Sequence, residues 1–185
     1  NPLTIGNMSL FDKIQVSIFQ SITTRTAGFA SVPQENLTNA SALVSLLLML
    51  VGGSPVGTAG GIKTVTVAVL LCSAFATIKN KKSATLFGRC LSEDSVKKAV
   101  AVTVMFLSIC SLSALVLMAT SGASALDVIY ETVSATATVG LSRNMTAGLN
   151  IIGKLIIIFT MYFGRVGPIS LAVALGRRSQ NQNII

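Results

Sequence analysis

The sequence contains no histidine and no tryptophan, and its three cysteines, Cys72, Cys90 and Cys110, lie far apart. Without histidine, neither a Ser-His-Asp triad nor the usual zinc sites can be assembled. Three cysteines at these spacings fit neither a disulfide framework nor a metal-binding motif. These absences argue against an enzyme and against a zinc protein.

Charge is also scarce in this chain. Only 11% of its 185 residues are charged, against about 25% in soluble domains. Hydrophobic residues make up 51%, and the mean hydropathy is +0.74. This composition is typical of a membrane protein. The net charge of +8 comes mainly from residues 79–98 and 177–178, which follow apolar stretches. Such clusters predict cytoplasmic segments rather than a nucleic-acid surface.

The apolar stretches differ in length. Residues 11–23 have apolar side chains at helical spacing, but a bilayer span takes about 20 residues, so this helix is too short to cross. Residues 96–120 and 149–175 are long enough to span. Asp127 begins a second short helix between them. Two short helices, each followed by a return to the surface, predict re-entrant hairpins.

Residues 39–78 are apolar except at their centre, residues 52–61, which hold five glycines and a proline. As one helix the stretch would be ~60 Å long, against a hydrocarbon core of ~30 Å. The centre is either the turn of a hairpin or an unwound break in one tilted passage. We favour the break, because unwound backbone in a bilayer marks an ion or substrate path. A phosphate-binding loop is disfavoured, since the GxxxxGK[ST] spacing is broken.

Each short helix runs into a Thr-x-Gly turn, first Thr26-Ala27-Gly28-Phe29 and then Thr138-Val139-Gly140-Leu141. The two turns recur at one offset (138 − 26 = 112), which also places Gly52 on Gly164. Threonine and valine favour extended backbone, and glycine permits a positive φ. Alone, such a turn could be an ordinary helix-to-loop connection. Its recurrence predicts two segments of a potassium filter, in which backbone carbonyls replace the water shell of the ion.

Two arginines lie in apolar surroundings. Arg25 precedes the first turn, where it either reaches the membrane surface or braces the filter from behind. Arg165 lies in the last span, at the position that the repeat assigns to Gly53. An intramembrane arginine is costly and is by default functional. We expect Arg165 to face the conduction path and to bind carbonyls of residues 52–61, rather than to extend to the cytoplasmic surface.

Four motifs, TTRTAGF, GGSPVGTAGGIKT, ATVGLS and FGRVGPISL, together resemble the C-terminal half of the Trk/Ktr/HKT superfamily of potassium and sodium transporters, and most closely its Ktr type. The resemblance covers almost the whole chain. It implies an all-α membrane protein of helix–pore helix–helix repeats of potassium-channel type, with a broken gating helix. Residues 1–80 would be the third repeat without its first helix, 81–95 a cytoplasmic linker, and 96–185 the fourth repeat. The chain would then be part of something longer.

The resemblance also implies functional residues. The filter would be formed by the two Thr-x-Gly turns, and the gate by a glycine-rich loop with its arginine: Gly52, Gly53, Ser54, Gly57, Thr58, Gly60, Gly61 and Arg165. In this family a serine in place of a filter glycine accompanies sodium transport. Because Gly28 and Gly140 are both intact, the resemblance favours potassium.

The superfamily implies potassium uptake at the cell membrane, with Na⁺ as an activating or coupled ion in some members. It implies a multi-pass homodimer, surrounded by lipid, on a cytoplasmic nucleotide-binding ring of the KtrA-like kind. Three alternatives stay open: a broken-helix secondary transporter for another solute, a Na⁺-transporting relative, and a membrane scaffold without transport activity.

Overall fold

The computed structural model describes residues 1–54, 60–81, 84–86 and 89–166. These parts are mostly helical, with two short strands. In chain order the elements are α1 (Leu10–Thr23), α2 (Asn39–Leu50), α3 (Thr64–Ile78), β1 (Thr85–Leu86), β2 (Arg89–Cys90), α4 (Glu93–Ser121), α5 (Ala125–Thr136) and α6 (Ile151–Val166). Single turns of 3-10 helix, Gln34–Asn36 and Thr146–Gly148, precede α2 and α6.

Four helices begin at a hydroxyl cap. The side chains of Ser9, Thr38, Ser92 and Ser124 accept a hydrogen bond from the backbone N–H three residues later, at the starts of α1, α2, α4 and α5 respectively. Such a bond satisfies one of the N–H groups that a helix leaves free at its N-terminus.

The elements recur in the same order along the chain. A short helix, a turn, one 3-10 turn and a further apolar helix occur as α1 to α2 and again as α5 to α6. The 3-10 turns begin at Gln34 and Thr146, and the helices after them begin at Asn39 and Ile151. Both pairs are separated by the offset that relates the two Thr-x-Gly turns.

α5 is the most buried element of the described chain. It packs against α2, α4 and α6, and most of its residues are buried. Tyr130 and Met49 belong to one hydrophobic cluster, whereas Val128, Leu117 and Ile157 belong to another. α1, the counterpart of α5, has an exposed apolar face that includes Phe11, Ile14 and Ile18.

Among the described residues, α4 is the helix whose length and apolar composition suffice to cross a membrane. Its 29 residues correspond to ~44 Å, longer than a hydrocarbon core of ~30 Å. α2 and α3 are apolar but shorter. The last predicted span, residues 149–175, contains α6, and its part after Val166 lies outside the described residues.

The glycine-rich segment is bounded by closely paired backbone. Val51 and Ile62 form a parallel bridge, and the N–H of Gly52 donates to the carbonyl of Ile62 at 2.9 Å. The N–H of Ile62 in turn donates to the carbonyl of Leu50 at 3.2 Å. The two flanks therefore run in the same direction where they meet. Gly57 and Thr58, two of the predicted gate residues, lie outside the described residues.

The predicted linker, residues 81–95, contains a feature that an all-α fold does not include. β1 and β2 pair in antiparallel fashion, with Thr85 opposite Cys90 and Leu86 opposite Arg89. A ladder of two residue pairs carries almost no hydrophobic periodicity, which is why the sequence pattern did not predict it. The span predicted at residues 96–120 is α4, which begins earlier, at Glu93, inside the predicted linker.

Candidate functional site

The first Thr-x-Gly turn follows the C-terminus of α1. Thr26 has a φ of 69° and Gly28 a φ of 77°. The N–H groups of Ala27 and Gly28 both donate to the carbonyl of Thr23, at 3.1 and 3.2 Å. The hydroxyl of Thr23 donates to the carbonyl of Phe29 at 2.6 Å. The chain thus reverses tightly over the end of the helix, and all four predicted residues, 26–29, belong to this reversal.

The second turn, at the end of α5, has positive φ at the same two positions but different hydrogen bonds. Thr138 has a φ of 55° and Gly140 a φ of 90°. The N–H of Thr138 donates to the carbonyl of Ala135 at 3.1 Å, and the N–H of Val139 to that of Ser134 at 2.9 Å. This pair of bonds is the Schellman motif, which ends a helix through one left-handed residue.

The backbone conformation of the two threonines, Thr26 and Thr138, differs from the prediction. The sequence predicted extended backbone at both, because β-branched residues rarely adopt a positive φ. Instead both have a positive φ. Thr138 is the left-handed residue directly after the C-cap of α5, and Thr26 lies two residues after the C-cap of α1. Capping the helix in this way satisfies carbonyls that would otherwise lack a partner. The expected positive φ at Gly28 and Gly140 is confirmed.

The two turns lie against each other through backbone alone. A Cβ atom built on Gly28 would overlap the carbonyl oxygen of Val139, and one built on Gly140 would lie 3.9 Å from the Cα atom of Gly28. Val139 and Leu141 are buried. Glycine is therefore required at position 28 for two reasons: its φ is positive, and the carbonyl oxygen of Val139 leaves no room for a Cβ atom.

The glycine-rich segment also reaches the second turn. The backbone N–H of Gly60 donates to the hydroxyl of Thr138 at 3.1 Å. A Cβ atom on Gly60 would lie 2.8 Å from the carbonyl oxygen of Ala137. A Cβ atom on Gly52 would overlap the carbonyl oxygen of Gly60. Three predicted gate and filter residues, Gly52, Gly60 and Thr138, are thus brought together.

The two predicted arginines occupy different places. Arg25 donates from Nη1 to the carbonyl oxygen of Val51 at 2.8 Å, so it links the first turn to the end of α2. Arg165 is exposed in the last turn of α6. Gly164, beside it, lies so close to α5 that an added Cβ would overlap the carbonyl oxygen of Thr136. This places Arg165 near the level at which the second turn begins, and its bonding to residues 52–61 stays a prediction.

Sequence reasoning missed a buried polar cluster beside the turns. The hydroxyl of Tyr130 donates to Oε1 of Gln34 at 2.9 Å, and Nη1 of Arg143 donates to the backbone carbonyl of Gln34 at 2.8 Å. These residues lie about a hundred positions apart in the chain, so no local spacing connects them.

Two acidic residues of α5 lie next to this cluster. Nε of Arg143 is 2.6 Å from Oδ1 of Asp127. Burial acts to raise the pKa of Asp127, but hydrogen bonds from Ser124 and Arg143 outweigh it, and the pKa lies below its usual value. This carboxylate is therefore ionised at neutral pH. Glu131 is buried and accepts a hydrogen bond from the hydroxyl of Thr146.

The described residues contain no cluster of histidine, cysteine, aspartate or glutamate that could hold a metal ion. The oxygen atoms of the two turns belong to backbone carbonyls and to the hydroxyls of Thr26 and Thr138. Such uncharged oxygens suit a monovalent cation that exchanges its hydration shell, rather than a tightly bound transition metal.

Comparison with known proteins identifies the family of this chain. The family model TrkH, described as a cation transport protein, matches residues 2–183. The chain belongs to this family of cation transport proteins.

Two curated relatives are similar over nearly the whole chain. The Ktr system potassium uptake protein B of Bacillus subtilis is 38% identical over 181 residues, which are 98% of this chain and 41% of that protein. The potassium/sodium uptake protein NtpJ of Enterococcus hirae is 36% identical over 179 residues, 95% of this chain and 40% of that protein. The chain thus spans about two fifths of the length of these relatives.

A solved structure has the same fold. The potassium transporter TrkH from Vibrio parahaemolyticus superposes with a TM-score of 0.79 at 20% sequence identity, covering 92% of this chain and 39% of that one.

Proposed function

We propose that this chain is the pore-forming part of a potassium uptake transporter, in which the turns at residues 26–29 and 138–141 are two segments of a carbonyl filter. The observation that carries the proposal is their shared backbone: threonine and glycine at equivalent positions both have positive φ. The turns also meet directly, Gly28 against Val139. Two such segments form half of a four-part ring, so conduction requires the longer protein.

The glycine-rich segment fits a gate in this pore. The parallel bridge between Val51 and Ile62 supports a single passage that a loop interrupts. A hairpin is not supported, because its two flanks would run antiparallel. The hydrogen bond from Gly60 to Thr138 supports a loop whose end lies against the filter. Glycine backbone can absorb the φ/ψ changes of a moving loop. We assign Arg165 as the cation that holds the loop closed.

Potassium is favoured as the transported ion by the same turns. Both Gly28 and Gly140 are present, and the first relative described above is a potassium uptake protein. Sodium is a second candidate as an activating, coupled or transported ion, because NtpJ is a potassium/sodium uptake protein.

The complete protein, in this proposal, is a multi-pass protein of the cell membrane. The basic residues of segment 79–98 and the C-terminal part of the chain face the cytoplasm. A homodimer that binds a KtrA-like nucleotide-binding ring is the assembly that fits a Ktr-type subunit. The exposed apolar side chains of α1 suit contact with lipid or with the rest of such a protein.

The proposal is tested with the full-length protein in liposomes, by measuring rubidium and sodium uptake. Gly140→Ser is compared with Gly148→Ser, because Gly148 has no neighbour within 4 Å of an added Cβ. We expect rubidium uptake in the wild type and in Gly148→Ser, and loss of the preference for rubidium over sodium in Gly140→Ser. Unchanged selectivity in Gly140→Ser would favour the secondary transporter, in which these turns are only loops.

A further inference from the structure

A buried polar cluster connects the two hairpins away from the turns themselves. It consists of Gln34, Tyr130 and Arg143, and is called here the Gln34 cluster. Tyr130 is 0% exposed, Gln34 is 2% exposed and the side chain of Arg143 is 9% exposed. Burying polar groups of this kind costs free energy unless each finds a hydrogen-bond partner. The partners that they find cross from one hairpin to the other.

Three hydrogen bonds make this crossing. Gln34 follows the first turn, whereas Tyr130 precedes the second turn and Arg143 follows it. The Tyr130 hydroxyl donates to Oε1 of Gln34 at 2.9 Å. The guanidinium of Arg143 donates from Nη1 to the carbonyl of Gln34 at 2.8 Å and from Nη2 to the carbonyl of Glu35 at 3.2 Å. A planar guanidinium holds two such acceptors in fixed directions.

Each end of the crossing is also fixed to its own hairpin. Nε2 of Gln20, in α1, donates to Oε1 of Gln34 at 2.7 Å, and Nε2 of Gln34 donates to the carbonyl of Val32 at 2.8 Å. On the other side, Arg143 pairs with Asp127 of α5. Its guanidinium also lies 5.9 Å from the ring centre of Tyr130. Moving one hairpin sideways past the other therefore breaks several buried bonds together.

Such a connection matters to the turns, because at Gly28 they meet through backbone atoms. Gly28 contacts the backbone of Val139 and Gly140. Two glycines present no side chain that could set the distance between the two segments. A carbonyl ring discriminates between cations only while its oxygens keep their spacing. The Gln34 cluster is a buried structure that links the two hairpins through side chains.

We propose that Gln34, Tyr130 and Arg143 are positioning residues for ion selectivity, which hold the two filter turns at a fixed lateral distance. This inference rests on the pore function proposed above. It assigns selectivity in part to side chains outside the Thr-x-Gly turns, none of which contacts the ion.

The test uses Tyr130→Phe in the full-length protein, with rubidium and sodium uptake measured on the same liposomes. This change removes the hydroxyl and keeps the ring beneath Arg143. The matched control is Tyr162→Phe, because Tyr162 is the other tyrosine of the sequence and is 63% exposed. A buried hydrogen bond contributes about two- to ten-fold in an equilibrium. We expect the rubidium-to-sodium ratio to fall about three-fold or more in Tyr130→Phe, with rubidium uptake retained, and to stay unchanged in Tyr162→Phe.

Arg143→Lys provides a second variant, because lysine keeps the charge but cannot donate to both carbonyls in a fork. If Tyr130→Phe does not assemble in the membrane, the rubidium-to-sodium ratio of Arg143→Lys alone tests the inference. An unchanged ratio in the variant that assembles would overturn the inference. So would an equal fall of both fluxes, which indicates a merely structural contribution. A wild-type protein that takes up no rubidium would instead overturn the proposed pore function. That result differs from a variant that takes up rubidium with an unchanged rubidium-to-sodium ratio, which overturns only the present inference.

Discussion

The backbone N–H of Gly60 donates a hydrogen bond to the side-chain hydroxyl of Thr138, 78 residues further along the chain, at 3.1 Å. The bond joins the end of the glycine-rich segment to the first residue of the second turn, two positions after the end of α5. Backbone and hydroxyl meet here because Gly60 has no side chain. A Cβ atom would overlap the Thr138 hydroxyl and lie 2.8 Å from the Ala137 carbonyl oxygen.

Gly60→Ala is predicted to displace the glycine-rich segment from the second turn. If this segment is the gate, the closed position loses its contact, and uptake without any activating partner rises several-fold. The measurement is rubidium uptake by the full-length transporter alone in liposomes. Gly148→Ala is the control, since nothing lies within 4 Å of an added Cβ there. Basal uptake equal to that of the wild type would show that the Gly60 contact does not limit conduction.

The two filter glycines are predicted to differ in their tolerance of alanine. At Gly28 an added Cβ overlaps the carbonyl oxygen of Val139, whereas at Gly140 the nearest atom is 3.9 Å away. Both substitutions carry the cost of a positive φ, roughly 1 kcal/mol or more. Only Gly28→Ala must also push the turns apart. We therefore expect Gly28→Ala to reduce rubidium uptake more strongly than Gly140→Ala.

Uptake of both variants is compared at equal amounts of protein in the membrane, determined by quantitative blotting. Equal losses would indicate that the positive φ alone decides the effect. A larger loss in Gly140→Ala would contradict the close approach of Gly28 to Val139.

Local features of this fold could be predicted from the sequence, because they depend on residues close together in the chain. Ser9 and Thr38 are recognisable as caps, and α1 begins one residue from its predicted start. The offset between Thr26 and Thr138 identified equivalent turns, whose backbone angles agree in sign. Such signals need only side-chain type and spacing.

Contacts between distant residues could not be predicted in this way. Tyr130 and Gln34 are 96 residues apart, and neither position differs in local pattern from an ordinary pore-helix or loop residue. The left-handed conformation of Thr138 was also missed. The C-terminus of α5 requires a left-handed residue at this position, and this requirement overrides the preference of a β-branched side chain for extended backbone. Both the Tyr130–Gln34 contact and the conformation of Thr138 depend on the tertiary structure rather than on the local sequence.

Arg165→Ala is predicted to change the regulation of uptake. Arg165 follows Gly164, which contacts the carbonyl of Thr136 just before the second turn. A cation at this level, facing the loop, would oppose the passage of K⁺ in the closed state. Its removal should raise basal rubidium uptake several-fold. Lys154→Ala is the matched control, because Lys154 is an exposed cation of the same helix. If rubidium flux is unchanged in Arg165→Ala, Arg165 has no part in gating.

Gly164→Ala is predicted to destabilise the packing of α6 on α5. The added Cβ would overlap the Thr136 carbonyl oxygen and approach its carbonyl carbon to 2.9 Å. These are backbone atoms of a buried helix end, so they cannot move aside as a flexible side chain can. Overpacking of this kind costs about 1–3 kcal/mol, which more than offsets the gain of about 1 kcal/mol in helix propensity from glycine to alanine.

Gly153→Ala in the same helix provides the comparison. There the nearest atoms are side-chain atoms of Asn150 and Leu149, both at 3.1 Å, which can shift. We expect the midpoint of thermal unfolding in detergent to fall in Gly164→Ala and to change little in Gly153→Ala. Because α6 supports the end of α5 next to Thr138, the loss should extend to the second turn, and rubidium uptake should decrease at temperatures where the protein is still folded. A midpoint unchanged in Gly164→Ala would show that the two helices can separate at this point without cost.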